Sequence, residues 1–172
     1  MIVFLFGTWG SGKTYLGELI QRECGLLHME ADIQFDNQML NALHARNYHQ
    51  LDLTKYYQRV VHDMFNFQRT ANDFIVSQGI YHEHYRKMIF DVFEPDIRFV
   101  WVKSEDLELH KERLNRRAEQ YGNPITADVY DYMLSYWEAP QIPHVQLVNA
   151  PNVGEEIKSL LHHWGLCLGW DD

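Results

Sequence analysis

The chain is 172 residues long, 46% hydrophobic and 14% aromatic, which is enough to bury one sizeable core and too little for two ordinary domains. Its 15 Lys and Arg against 24 Asp and Glu leave a net charge of −9, which argues against a nucleic-acid polymer as partner. Cys24 and Cys167 lack CxxC spacing and suggest neither a disulfide framework nor a zinc site, which fits the cytoplasm, and the apolar start from Ile2 to Phe6 is too short for a signal peptide or a membrane span.

Ile2-Val3-Phe4-Leu5-Phe6 is a continuous apolar run that ends at Gly7, the pattern of a central parallel strand buried on both faces. Gly7-Thr8-Trp9-Gly10-Ser11-Gly12-Lys13-Thr14 follows and matches G-x-x-x-x-G-K-[ST] in full. Leu16, Leu19, Ile20 and Cys24 then fall on one helix face, with Gly25 as a stop signal. A glycine-rich loop between a buried strand and a helix lets backbone N–H groups turn around phosphate oxygens, and the helix adds the positive end of its dipole. Lys13 is expected to bridge the β- and γ-phosphates of ATP, and Thr14 to hold Mg2+ through its hydroxyl. Gly7, Trp9, Gly10, Ser11, Gly12 and Tyr15 complete the expected nucleotide-binding set; Trp9 either covers the nucleotide or packs in the core.

Leu26 to Glu30 reads as a second, weaker strand. Glu30 and Asp32, two residues apart, point the same way if that strand continues. Asp32 is the choice for the catalytic base or for a water-mediated magnesium contact, with Glu30 in reserve; the bland alternative is a solvated acidic turn. The stretch from about 32 to 72 is expected to shape the acceptor side. Within it, Tyr57, Val60, Val61, Met64 and Phe65 mark a helix face, and the aromatic stripe from Tyr48 to Phe67 reads as core in preference to a pocket.

Phe74 to Ser77 is the third strand, closed by Gly79, and helix-like sequence runs from about Glu83 to Phe93. Tyr85 and Arg86 either face a polar or anionic acceptor or pair on the surface with Glu83 or Asp91. His82 and His84 alternate as metal ligands do, but no neighbouring carboxylate or cysteine in the sequence completes a site. Ile97 to Val102 is the fourth strand, after which Ser104 is the expected helix cap and Glu105 and Asp106 the acidic first turn. Arg113, Arg116 and Arg117 crowd the expected far end of that helix, before the turn signal Gly122-Asn123-Pro124. They form either a lid over the phosphates, about 113–126, or a complement to the helix dipole. Val145 to Val148 is a last strand, and Val153, Ile157, Leu160, Leu161 and Trp164 make an amphipathic closing helix.

Strands alternating with helices imply an α/β domain spanning 1–172, with a parallel sheet between two helical layers and ligands beyond the carboxyl ends of the strands. Gly10-Ser11-Gly12-Lys13-Thr14, the placement of Asp32, Ser77 through Tyr85-Arg86, Glu112-Arg113-Leu114 with Arg117, and Trp137-Glu138-Ala139-Pro140 resemble the gluconate-kinase and shikimate-kinase group of P-loop kinases. The resemblance implies a three-layer P-loop NTPase fold with sheet order 2-3-1-4-5 and a mobile lid. It places Arg113, Asn149 and Pro151 near adenine and Arg117 near the phosphates. The sequence departs from gluconate kinases after the second strand, where Asp32-Ile33-Gln34-Phe35-Asp36 lacks the histidine and proline of their D-x-x-H-P run.

The reading that follows is a monomeric or homodimeric ATP- and Mg2+-dependent kinase acting on a small-molecule hydroxyl. The alternative is an ATP-binding switch that acts through a protein partner, which an exposed apolar patch around Trp164, Leu166, Leu168 and Trp170 would favour. A kinase acting on nucleotides or nucleic-acid ends fits the acidic balance less well.

Overall fold

The structure is a computed structural model, described for residues 1–31, 35–104 and 106–167. Five strands, β1 (Ile2–Gly7), β2 (Leu27–Glu30), β3 (Phe74–Gly79), β4 (Ile97–Lys103) and β5 (His144–Val148), form one parallel sheet in the order 2-3-1-4-5. The helices are α1 (Lys13–Cys24), α2 (Asn37–His44), α3 (Leu53–Gln68), α4 (Glu83–Phe93), α5 (Leu107–Tyr121), α6 (Ala127–Leu134) and α7 (Val153–His163).

Period-two alternation along β1 divides the core. Ile2, Phe4 and Phe6 point to one face and pack with Val60 and Met64 of α3 and Ile89 and Phe93 of α4. Val3 and Leu5 point to the other and pack with Leu16 and Ile20 of α1 and Ile157 and Leu161 of α7. Because both faces are covered, β1 is buried along its whole length. The resulting α/β/α sandwich with β1 at its centre is the expected P-loop NTPase fold.

Within the stripe from Tyr48 to Phe67, Tyr56 and Tyr57 are core residues whose hydroxyls donate to Ala31 O at 2.9 Å and Gly79 O at 2.7 Å. These bonds satisfy the buried phenols and pin α3 to the carboxyl ends of β2 and β3. A third apolar cluster, with Leu114 of α5, Val129, Tyr130 and Met133 of α6, and Tyr81, seats the α5–α6 hairpin.

Three local expectations are corrected. The helix after β4 starts at Leu107, and its cap is Asp106, whose side chain accepts from Leu109 N at 2.9 Å; Ser104 lies too early, and Glu105 is outside the described residues. That helix continues to Tyr121, so Arg113, Arg116 and Arg117 occupy its middle, away from the last turn where they would complement the dipole. Cys24 and Cys167 are joined as a disulfide with Cα atoms 5.1 Å apart, because α1 ends where the chain returns from α7. Trp164 and Leu166 pack against the core on the α1–α7 side of the sheet, while Leu168 and Trp170 lie outside the described residues. No helix among the described residues is long and apolar enough to cross a membrane.

Candidate active site

The loop from Gly7 to Lys13 leaves β1 at the carboxyl edge of the sheet and opens directly into α1. Gly10 and Gly12 take left-handed conformations, φ 81° and 101°. A Cβ on Gly10 would lie 3.0 Å from that of His110, and one on Gly12 would collide with the Asn149 side-chain amide. Both conformation and crowding therefore demand glycine at these two positions.

Lys13 is 3% exposed, and its Nζ donates to Thr8 O at 2.8 Å across the loop. The ammonium is thereby held over the ring of backbone amides. The loop is braced from outside by Asn149 Nδ2 donating to Ser11 O at 2.7 Å, Arg113 Nη1 donating to Gly10 O at 3.2 Å, and Trp9 N donating to the Tyr81 hydroxyl at 3.0 Å. Trp9 meets Tyr81 edge to face at 5.3 Å, so it packs on the core side as well as lining the cavity.

A cavity of about 370 Å³ opens over this loop. It is lined by Gly10, Gly12, Lys13, Thr14 and Tyr15 from the loop and the start of α1, by Glu30, by Arg113, Arg116 and Arg117 of α5, and by Asn149. A second cleft adjoins it, shares Tyr15, Arg113 and Asn149, and adds Pro151. Residues called from four separate stretches of sequence thus meet around one hollow, whose cationic groups suit a polyphosphate. Three arginines that line this cavity from the middle of α5 are not placed to complement the dipole at its C-terminus.

Thr14 Oγ1 donates to Glu30 Oε1 at 2.8 Å. With its proton committed to the carboxylate, the hydroxyl retains lone pairs for a cation. Hydroxyl and carboxylate oxygens side by side are the donors a hard divalent ion takes, so Thr14 and Glu30 fit magnesium. Asp32, the residue chosen as base and metal contact, lies outside the described residues. Gly7 is buried at the foot of the loop.

Tyr85 and Arg86 are not brought to this cavity. Tyr85 is buried with its hydroxyl 2.9 Å from Thr54 Oγ1. Arg86 is wholly buried, paired with Glu83 at 3.2 Å, and donates from Nη2 to the carbonyls of Tyr81 and Glu138 at 2.9 and 2.5 Å. Both side chains tie α4 to neighbouring segments: of the two readings from sequence, the pairing of Arg86 with Glu83 is present, in the interior and not on the surface, and the acceptor contact is not.

His110 is the site residue that sequence reasoning missed. It lies one turn before Arg113 and Leu114 on α5, is buried, and its Nδ1 is 3.0 Å from the Tyr130 hydroxyl. The His110-x-x-Arg113-Leu114-x-x-Arg117 spacing puts it on the helix face of the arginines, where it lies beneath the cavity against Gly10 of the loop. Burial first, then the charges of Lys13 and Arg113, outweigh Asp106 and push its pKa down to about 4. The unfolded chain binds this proton near pH 6.5, whereas the folded chain refuses it until about pH 4, so unfolding takes up a proton between those values and stability falls as pH falls. The expected contribution is a loss of about 2 kcal/mol by pH 5 and about 3 kcal/mol below pH 4. Denaturant titrations at pH 7, 5 and 4 should show a shallower decline for His110→Gln than for the native chain; parallel declines would contradict this.

The profile of the AAA domain family matches residues 2–140. Among solved structures, a sugar kinase from Janibacter sp. HTCC2649 is similar at TM-score 0.68 and 19% identity, over 96% of this chain and 94% of that one. A gluconokinase from Sinorhizobium meliloti 1021 is similar at 0.66 and 17%, over 95% and 90%. The APS kinase of Mycobacterium tuberculosis, solved with AMPPNP and APS, is similar at 0.63 and 17%, over 95% and 96%. No curated protein sequence matches. The shared fold is the one expected from the resemblance to the gluconate- and shikimate-kinase group.

Proposed function

The chain belongs to the AAA domain family, and from the phosphate loop at the head of that domain we propose that it is an ATP-dependent phosphotransferase acting on a hydroxyl of a small molecule. The observation that carries the reading is the convergence of a complete phosphate loop, with its lysine buried, and three arginines on one cavity. The APS kinase neighbour, solved with AMPPNP, supports a nucleotide ligand.

In this reading the amides from Gly10 to Thr14 cradle the ATP phosphates, and Lys13 exchanges the Thr8 carbonyl for β- and γ-phosphate oxygens. Arg113, Asn149 and Pro151 flank the adenine side, with Tyr15 at the rim. Thr14 and Glu30 would hold Mg2+, which Asp32 would reach only through water, and the ion would supply positive charge to the phosphates. The acceptor hydroxyl enters from the 32–72 side and gives its proton to Asp32. Its oxygen bonds to the γ-phosphorus as the bond to the β–γ bridging oxygen breaks, and ADP leaves. Arg117, with Arg116, stabilises the charge on the transferring group. The reaction is assigned to the cytoplasm, where ATP is supplied.

The test is ADP release from Mg-ATP with and without a panel of sugar acids, cyclic polyols, nucleosides and nucleotides. The kinase reading expects at least one acceptor to raise the rate about tenfold or more. Slow turnover indifferent to every acceptor would favour the nucleotide-dependent switch.

A further inference from the structure

The two histidines that alternate at the β3–α4 junction have no third donor within their own stretch of sequence, and the fold supplies one. The loop between α6 and β5 returns to this junction: Glu138 N donates to Tyr81 O at 2.9 Å, and Arg86 Nη2 donates to Glu138 O at 2.5 Å. Its carboxylate is anchored too, since Glu138 Oε2 accepts from Glu83 N at 2.5 Å. Glu83 in turn accepts from the backbone N–H groups of Gln141 and Ile142 at 3.0 and 2.8 Å. Glu138 Oε1 therefore projects from a fixed support, 3.8 Å from His82 Nδ1.

Donor atoms of His82, His84 and Glu138 all lie within 4.8 Å of one another, the one such trio among the described residues. Zinc bonds of about 2.0–2.1 Å to nitrogen and 2.0–2.2 Å to oxygen set tetrahedral donors roughly 3.4 Å apart. The remaining approach is on the order of 1 Å, within reach of rotation of the exposed His84 side chain toward the anchored carboxylate. Two imidazole nitrogens with one carboxylate oxygen suit zinc, nickel or cobalt better than magnesium, which prefers all-oxygen shells.

We infer that His82, His84 and Glu138 form a three-ligand site for a divalent transition-metal ion of the zinc type, with a fourth position left to water or an exchangeable ligand. The site is separate from the phosphate loop and independent of the kinase reading. It would clamp the loop before β5 to the start of α4. His82 also lines a cavity of about 170 Å³ with Tyr48, Tyr132 and Tyr136, which gives an exchangeable ligand a place to enter.

The experiment is calorimetric titration of ZnCl2 into tag-free, chelator-stripped full-length protein at pH 7.5, without nucleotide. The expected result is one site of micromolar or tighter affinity, weakened about tenfold or more by His84→Ala and by Glu138→Gln. Glu138→Gln retains a side-chain oxygen for Glu83 N, and His84→Gln is the second exposed variant should His84→Ala lose its native melting transition. The double variant His162→Ala, His163→Ala should bind as the native chain does. Absence of binding to the native chain, or affinity unchanged in the folded His84 and Glu138 variants, would overturn the inference.

Discussion

Replacing Lys13 by alanine is expected to weaken Mg-ATP binding about 10- to 100-fold and to abolish turnover, with the thermal transition retained. Lys13 Nζ donates to Thr8 O, a contact within the loop itself. Its charge is buried, at 3% exposure, and a desolvated ammonium on phosphate makes charge-assisted bonds of about 1.5–3 kcal/mol, which is that span of affinity. Calorimetry on the folded variant is the check. Native affinity in Lys13→Ala would remove the loop from nucleotide binding.

The second large effect separates the two acidic residues that follow Met29. Asp32→Asn is expected to leave Mg-ATP affinity near native and to lower acceptor phosphorylation at least about tenfold, since a positioned base commonly contributes ~100-fold or more. Glu30→Gln should act differently, because Glu30 accepts the Thr14 proton and so orients the hydroxyl assigned to magnesium. Its expected signature is a higher magnesium requirement, read as a rightward shift in the dependence of rate on free Mg2+. A full native rate for Asp32→Asn at saturating acceptor would take that residue out of the mechanism. An unshifted magnesium dependence for Glu30→Gln would do the same for the Thr14–Glu30 pair.

Local sequence carried the nucleotide side of this site. Ile2 to Phe6 could only be a strand buried on both faces, and the glycines, lysine and threonine after it admit few other conformations, so β1, the loop and α1 were legible together. Arg113, Arg116 and Arg117 were legible as a group, but their place on the helix was not. Glu119-Gln120-Tyr121 carries α5 on to Gly122, which takes the left-handed cap, and this turns an apparent helix end into a helix middle facing the loop.

What escaped the sequence depended on contacts between distant segments. The short helices α2 and α6 were not anticipated. Asp36, whose side chain accepts from Met39 N at 2.8 Å, starts the first, and burial of Val129, Tyr130 and Met133 under α5 fixes the second. Arg86 read as facing an acceptor or pairing at the surface, and the carbonyls of Tyr81 and Glu138 that enclose it could not be placed from its own stretch of sequence. Glu138 stands 56 residues beyond His82 in the chain, and Cys24 and Cys167 are 143 apart, so no spacing rule announces either meeting. His110 was missed for another reason: its spacing to Arg113 and Arg117 sets it on their helix face, but that face gains a role for it only where the loop lies against it.

The central claim is that the backbone ring closed by Lys13 holds ATP with magnesium. Titrating ATP into the native chain by calorimetry, with magnesium present and then chelated, tests it most directly. The account predicts one saturable site per chain whose affinity drops when the metal is withdrawn. A correctly folded chain that releases no binding heat with ATP at any magnesium concentration would contradict it.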